Sequence, residues 1–243
     1  IDQNSFIEGT LREFDGRAYA MAFSSVQMMK NLNLWKKIED TALPISNIKV
    51  SHGTIERGPA SATLQFNNAD IEESPMAQML EDRYLRQCLI HKIKENTFID
   101  LIEQRKISEV IDLNSKKNLR LDNNSKLQAS LLVASDGIDS PTAKAFGIRK
   151  TGWKYKQRGL VCAVNHEYSS DNTAYQYFLP EGPLAILPIK NKTASIVWTE
   201  SIQNASTISE MDDAEYLNIL QNRFGDFLGK LKLTGKRLSF PLK

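Results

Sequence analysis

Four apolar stretches in the second half of the chain constrain its fold more than any other feature. Gly159–Tyr168, Thr173–Leu179, Leu184–Ile189 and Ser195–Glu200 are strand-like, and turn-forming residues separate them. Lys190-Asn191-Lys192 supplies the turn of a hairpin between the last two. Ser209 followed by Asp212 resembles a capping box and opens a helix with Tyr216, Leu217, Leu220, Phe224 and Leu228 directed inward. Leu238–Leu242 reads as a final strand. Strands too short to stand alone, followed by one amphipathic helix, imply a mostly antiparallel sheet with a helix laid against it.

The first half has a different texture. Asp15 is placed to N-cap a helix over Arg17–Asn31, with Ala18, Met21, Ala22, Val26 and Met29 on or near one face. Ile45–Ser51 and Ala62–Phe66 form a candidate hairpin, with turn chemistry in Gly58–Ser61, and this hairpin is a candidate member of the second sheet. Met79–Lys94 predicts a helix, because Leu80, Tyr84 and Cys88 recur at four-residue spacing, as do Leu85, Leu89 and Ile93. Phe98–Ile102, Ile107–Leu113 and Leu127–Ala134 are strand candidates, with turns at Lys116–Asn118 and Asp122–Ser125. The uninterrupted apolar run Leu131–Ser135 predicts a strand buried on both faces. It stops at Asp136-Gly137, and a short helix is expected over Ser140–Phe146.

Composition removes several function classes. Thirty-one basic residues against 29 acidic ones give a net charge of +2, without a basic block, so nucleic acid is not a partner. Cys88 and Cys162 lie far apart in apolar segments, which argues against a disulfide framework and for a reducing cytoplasm. No apolar run approaches the ~18–20 residues needed to span a bilayer. His52, His91 and His166 stand apart from one another and from the cysteines, so no metal site is expected, and His166-Glu167 reads as a surface pair at a strand end. The chain has no G-x-G-x-x-G, no phosphate-binding G-x-x-x-x-G-K-[ST], and no serine elbow or Cys–His pattern.

Three local features each admit a plain and a functional reading. Asp136-Gly137, after an apolar strand, is either an ordinary turn or a backbone N–H and carboxylate cluster at the carboxyl edge of a sheet, where open α/β sheets bind ligands. Arg17, in Phe14-Asp15-Gly16-Arg17-Ala18, is either a solvated surface residue or an anion-binding group at a helix start. Gly182–Ile189, bracketed by Pro183 and Pro188, is either an edge strand or the wall of an apolar pocket.

The order and spacing of eight segments settle these choices together. FDGRAYAMA (Phe14–Ala22), LNLW (Leu32–Trp35), EDRYLRQCL (Glu81–Leu89), LLVASDGIDS (Leu131–Ser140), YKQRGLVCAVNHE (Tyr155–Glu167), FLPEGPLAILPI (Phe178–Ile189), SIVWT (Ser195–Thr199) and GKRLSFPL (Gly235–Leu242) run nearly end to end. In this the chain closely resembles the ubiquinone-biosynthesis flavin hydroxylases of the 2-polyprenyl-6-methoxyphenol hydroxylase type, within the p-hydroxybenzoate-hydroxylase-like group. The resemblance implies an α/β and α+β fold, in which a Rossmann-like FAD-binding domain interleaves with an antiparallel-sheet substrate domain. The expected boundaries are residues 1–44 and 77–150 for the FAD domain, 45–76 and 151–235 for the substrate domain, and 236–243 for a return strand to the FAD domain.

The resemblance carries roles residue by residue. Asp2 matches an acid that binds the adenosine ribose, a task suited to a group that accepts two hydrogen bonds. Arg17 matches the arginine of a D-G-R segment lying along FAD. Glu81 and Arg83 belong to a helix passing near the cofactor, with Arg86 as a structural neighbour, and Asp136 and Gly137 match a D-G motif that holds FAD. Many relatives carry an arginine after that motif where this chain has Ala143. The family's glycine-rich loop would precede Ile1 and its later flavin motif would follow Lys243, so the sequence reads as truncated at both ends, a fragment inactive alone.

The implied activity is that of an NAD(P)H- and FAD-dependent monooxygenase (EC 1.14.13-like) that uses O2 to hydroxylate a polyprenylated phenol. Leu184, Ile186, Leu187, Pro188 and Trp198 are the expected pocket wall; no catalytic side chain is singled out. The setting is cytoplasmic, and leaves room for peripheral contact with the inner face of the membrane, for a ubiquinone-biosynthesis complex and for a homo-oligomer. Two alternatives stand beside it: a non-catalytic prenyl-lipid binding scaffold on the same fold, and a flavin hydroxylase of a soluble aromatic acid.

Overall fold

A computed structural model describes residues 1–6, 14–54, 58–70, 75–113 and 116–243. In chain order the elements are β1 (Ala18–Ala22), α1 (Phe23–Asn31), β2 (Leu43–Ile45), β3 (Asn47–Thr54), β4 (Gly58–Asn67), β5 (Ala77–Glu81), α2 (Asp82–Glu95), β6 (Ile107–Leu113), β7 (Lys116–Leu121), β8 (Lys126–Ala129), α3 (Pro141–Ala145), β9 (Gln157–His166), β10 (Thr173–Leu179), β11 (Gly182–Ile189), β12 (Thr193–Ser201), α4 (Ile202–Glu210), α5 (Asp213–Phe224) and β13 (Leu231–Pro241). They fall into two compact units, Ile1–Thr10 with Ile93–Trp153, and Leu11–Lys92 with Lys154–Lys243. No helix among the described residues is long and apolar enough to cross a membrane.

The larger unit is organised by a seven-stranded sheet of order β13-β9-β12-β11-β10-β3-β4. The β3–β4 hairpin does join the second sheet, through a parallel pairing of β3 with β10. Side chains alternate between the two faces, and one face is covered. Leu160, Cys162 and Val164 of β9, Leu184 and Ile186 of β11, and Ile196 and Trp198 of β12 pack in one core with Ala205 and Ile208 of α4 and Tyr216, Leu220 and Phe224 of α5. Fully burying side chains of this size stabilises by about 1.5–3 kcal/mol each.

The helix start expected near Ser209 lies three residues later. Asp212 accepts the amides of Ala214 and Glu215, and Glu215 reaches back to the amide of Asp212. Ser209 belongs instead to α4, which periodicity had not indicated. His166 is buried on the covered face rather than paired at the surface. Its Nδ1 meets the carbonyl of Tyr168 at 2.6 Å.

A three-stranded sheet, β1-β5-β2, completes this unit. Here two expected helices begin too early. Ala18–Ala22 forms an antiparallel ladder with Ala77–Glu81, so α1 starts only at Phe23 and α2 at Asp82. Apolar spacing fits a strand as well as a helix over five residues, and the ladder decides. Val26 and Met29 of α1 pack with Trp35, Leu80 and Cys88. Gly58–Ser61, expected as a turn, begins β4. Residues 236–243, expected as a return strand to another domain, include the end of β13, which pairs with β9 from Leu231 to Pro241 across a register shift.

The smaller unit holds the antiparallel meander β6-β7-β8. Ile107–Leu113 matches expectation, whereas Lys116–Asn118 is strand rather than turn. Phe98–Ile102 is not a strand; the Phe98 amide closes on the side chain of Asn96. The largest difference is Leu131–Ser135, which forms no strand and leaves Leu131 76% and Val133 72% exposed. A strand exists through its ladder, and no strand among the described residues pairs with this run.

Candidate functional site

The β1–β5 ladder sets Ala18 opposite Glu81, which brings Arg17 against the first residue of α2. The Asp82 amide donates to the Arg17 carbonyl at 3.1 Å. The Asp82 carboxylate is almost fully buried, takes the Tyr19 hydroxyl at 2.6 Å, and pairs with Arg17 Nη2 at 3.1 Å and Arg86 Nη1 at 3.7 Å. A carboxylate in the first turn also suits the positive end of the helix dipole.

Arg17 is also held by Asp15, with Nε 2.8 Å and Nη2 2.6 Å from Oδ2. That hydrogen bond raises the guanidinium further above its ordinary range. Burial pushes the Asp15 carboxyl up, but the hydrogen bonds from Arg17 outweigh it and leave the group below its usual value. Gly16 has φ of +93°, in the region that favours glycine, and its carbonyl accepts the buried Ser195 hydroxyl at 3.1 Å. The Asp15-Gly16-Arg17 turn is thereby fastened to the second sheet.

Glu81 and Arg83 form a second group next to it along the chain. Their side chains pair at 2.6 Å, and the Arg83 guanidinium lies over the rings of Phe14 and Tyr84. The larger unit thus holds Arg17 with Asp15, Tyr19 and Asp82, and pairs Glu81 with Arg83 in a second group. Asp82 was missed because its signal is tertiary: in sequence it is one acid among several at the start of a helix.

Asp2, Asp136 and Gly137 belong to the smaller unit. Asp2 Oδ1 accepts the amide and side chain of Asn4 at 2.8 and 3.0 Å, and its amide donates to Ile102. Asp136 does not end a strand. Its carboxylate takes the Ser140 hydroxyl and, at 3.1 Å, the Thr142 amide, closing the turn into α3. The Ser140 hydrogen bond, followed by those of Thr142, holds the carboxyl down at about 2 although the group is exposed. Gly137 has φ of +92° and open space where a Cβ would stand.

The expected pocket wall requires a correction. Leu184, Ile186 and Trp198 are sealed in the core beneath α4 and α5, with Pro188 buried on the same side of β11. Strand periodicity told which residues share a face, not which face the helices cover. Leu187 alone points the other way, packed near Ile45, Met79 and Ala174.

That other face is open over much of its extent. Phe178, Ala185, Val197, Val161 and Phe240 lie on it by register, and Phe178, Val197 and Phe240 are exposed. The Gly16 turn sits on this same face, against the backbone of Cys162–Ala163 and beside Ser195. Val161 and Val197 are the next residues on that face along β9 and β12. An apolar surface therefore begins beside the Gly16 turn.

Two partly exposed guanidiniums, each already oriented by a carboxylate, form fixed donors for a diphosphate or a ribose. These residues fit the FAD that the resemblance implies. Among the described residues no group of three or more His, Cys, Asp or Glu could hold a metal ion.

Comparisons with known proteins point the same way. The family model described as FAD binding domain matches residues 8–239. The chain is 29% identical over 230 residues to the ubiquinone hydroxylase UbiL of Rhodospirillum rubrum, covering 94% of this chain and 52% of that protein. It is 25% identical over 228 residues to the ubiquinone biosynthesis monooxygenase COQ6 of Dictyostelium discoideum, covering 82% and 45% respectively. The chain thus spans about half the length of the curated relatives it matches. PqsL of Pseudomonas aeruginosa superposes with a TM-score of 0.72 at 16% identity, over 96% of this chain and 65% of that one. The p-nitrophenol 4-monooxygenase PnpA of Pseudomonas putida gives 0.72 at 12% identity, over 98% and 60%. These two likenesses concern the fold.

Proposed function

We propose, from the premise that this chain belongs to the family of FAD binding domains over nearly its whole length, that it forms part of a monooxygenase acting on a polyprenylated phenol. The names of its relatives support a phenolic substrate of ubiquinone biosynthesis and O2 as co-substrate. NADH or NADPH is the proposed reductant. FAD, when bound, supplies the redox chemistry and the activation of oxygen.

The chain's own residues have binding tasks. Arg17 and Arg83 hold the charged parts of the cofactor, with Glu81 keeping Arg83 in place. On the resemblance alone, Asp2 is proposed for the adenosine ribose, and Asp136 with Gly137 for a further cofactor contact. The substrate wall moves from the side first expected to the open face carrying Phe178, Ala185, Val197 and Val161, with Leu187 as the one residue kept from the original set. None of the described residues on that face of the sheet is an arginine. An apolar ring with a prenyl tail suits these apolar residues.

The observation carrying this reading is that the Gly16–Arg17 turn and the apolar patch share one face of one sheet. Val197, 38% exposed, tests it. Val197→Glu in the full-length protein should lower turnover of a prenylated phenol by at least about tenfold, the order of a desolvated charge set against an apolar ligand, while bound FAD and thermal stability stay near wild type. Unchanged turnover would remove this face from the substrate site.

A further inference from the structure

We infer that Asp82 is the positioning residue for Arg17, and that its carboxylate makes the guanidinium a fixed anion-binding group rather than a mobile surface charge. The inference rests on the FAD reading of Arg17 and extends it to a residue that reading does not include.

Arg17 is 38% exposed in its side chain, whereas Asp82 is 8% exposed. An exposed arginine held by one exposed acid gains little, because water competes and the long side chain retains its rotamers. Asp15 is such an acid, at 37% exposure. Asp82 differs, because a buried carboxylate is less screened and is itself immobilised. Its backbone is tied to the Arg17 carbonyl, and the Tyr19 hydroxyl fixes its Oδ1 at 2.6 Å. Its remaining oxygen, Oδ2, is shared by Arg17 at 3.1 Å and Arg86 at 3.7 Å. Arg17 is therefore clamped between an exposed and a buried carboxylate, which fixes the plane of its guanidinium before any ligand arrives. Such preorganisation raises affinity by removing an ordering cost from binding.

The test uses the full-length protein stripped of flavin, with FAD and separately ADP as probes, because ADP carries the diphosphate and adenosine without the flavin ring. Asp82→Asn keeps the shape and the Tyr19 contact but removes the charge. It should weaken binding of both probes roughly 10–100-fold, the range of one charge-assisted hydrogen bond, while Asp82→Glu recovers part of the loss. Arg86→Ala, which removes the longer contact to the same oxygen, should leave both affinities within about twofold, a change too small to represent a lost hydrogen bond. If Asp82→Asn changes only the melting temperature and neither affinity while Arg17→Ala abolishes both, Asp82 is merely structural and the inference fails alone. If Arg17→Ala itself leaves FAD affinity intact, the cofactor role of Arg17 falls and this inference falls with it.

Discussion

Asp136 shows how far a single residue can be read from sequence. Its motif was visible, and so was the short helix that follows. Its partners were not, because the run before it was expected to be a strand and to present the carboxylate at a sheet edge. In the structure the carboxylate accepts locally from Ser140 and Thr142. That geometry gives a pH dependence of definite sign. A carboxyl held at about 2 in the folded state, against an ordinary 3.8, stabilises its turn above about pH 4 and loses that contribution as the pH falls through about 2. The protection factor of the Thr142 amide, the intrinsic exchange rate divided by the observed rate at the same pH, should therefore fall between pH 4 and pH 2, and Ser140→Ala should move the Asp136 titration upward. An Asp136 side chain titrating near 3.8 in the wild-type protein would contradict the assignment. Asp82 is the opposite case, since nothing local marks it and only the β1–β5 register brings Arg17 and Tyr19 to it.

At the scale of elements, the second half was the more legible. Thr173–Leu179 coincides with β10, Leu184–Ile189 and Ser195–Glu200 lie within β11 and β12, and the inward face of α5 is the one its spacing predicts. β1 and β5 were absorbed into neighbouring helices because five residues do not distinguish the two periods. The ion pair that joins α5 to β12 was beyond reach, because nothing local marks its two residues as partners. Glu200, 1% exposed, accepts Trp198 Nε1–H at 3.0 Å and Asn204 Nδ2–H at 3.2 Å, and pairs with Arg223 at 3.0 Å. Arg223 also lies over the Trp198 ring. Glu200→Ala leaves that guanidinium buried without its charge partner, so urea unfolding should report a loss of about 3–5 kcal/mol. A loss below ~1 kcal/mol, typical of exposed pairs, would mean that the network does not hold the helix on the sheet.

For the whole molecule, the ordered set of eight segments identified the family that the comparisons then found, and the two textures of the sequence appear in the sheets of the larger unit. The covered side of the seven-stranded sheet could not be read in advance. Both faces of a strand such as β11 are apolar, and only the position of α4 and α5 decides which becomes core. This moved the proposed substrate surface to the opposite face, beside the Gly16 turn. The most direct test of the central claim follows the oxygen atom. The full-length protein, supplied with FAD, NADH or NADPH, a prenylated phenol and 18O2, should yield a hydroxylated ring carrying one 18O atom. A flavin-loaded protein that consumes reductant yet leaves the phenol unlabelled, or a product whose new oxygen comes from water, would contradict it.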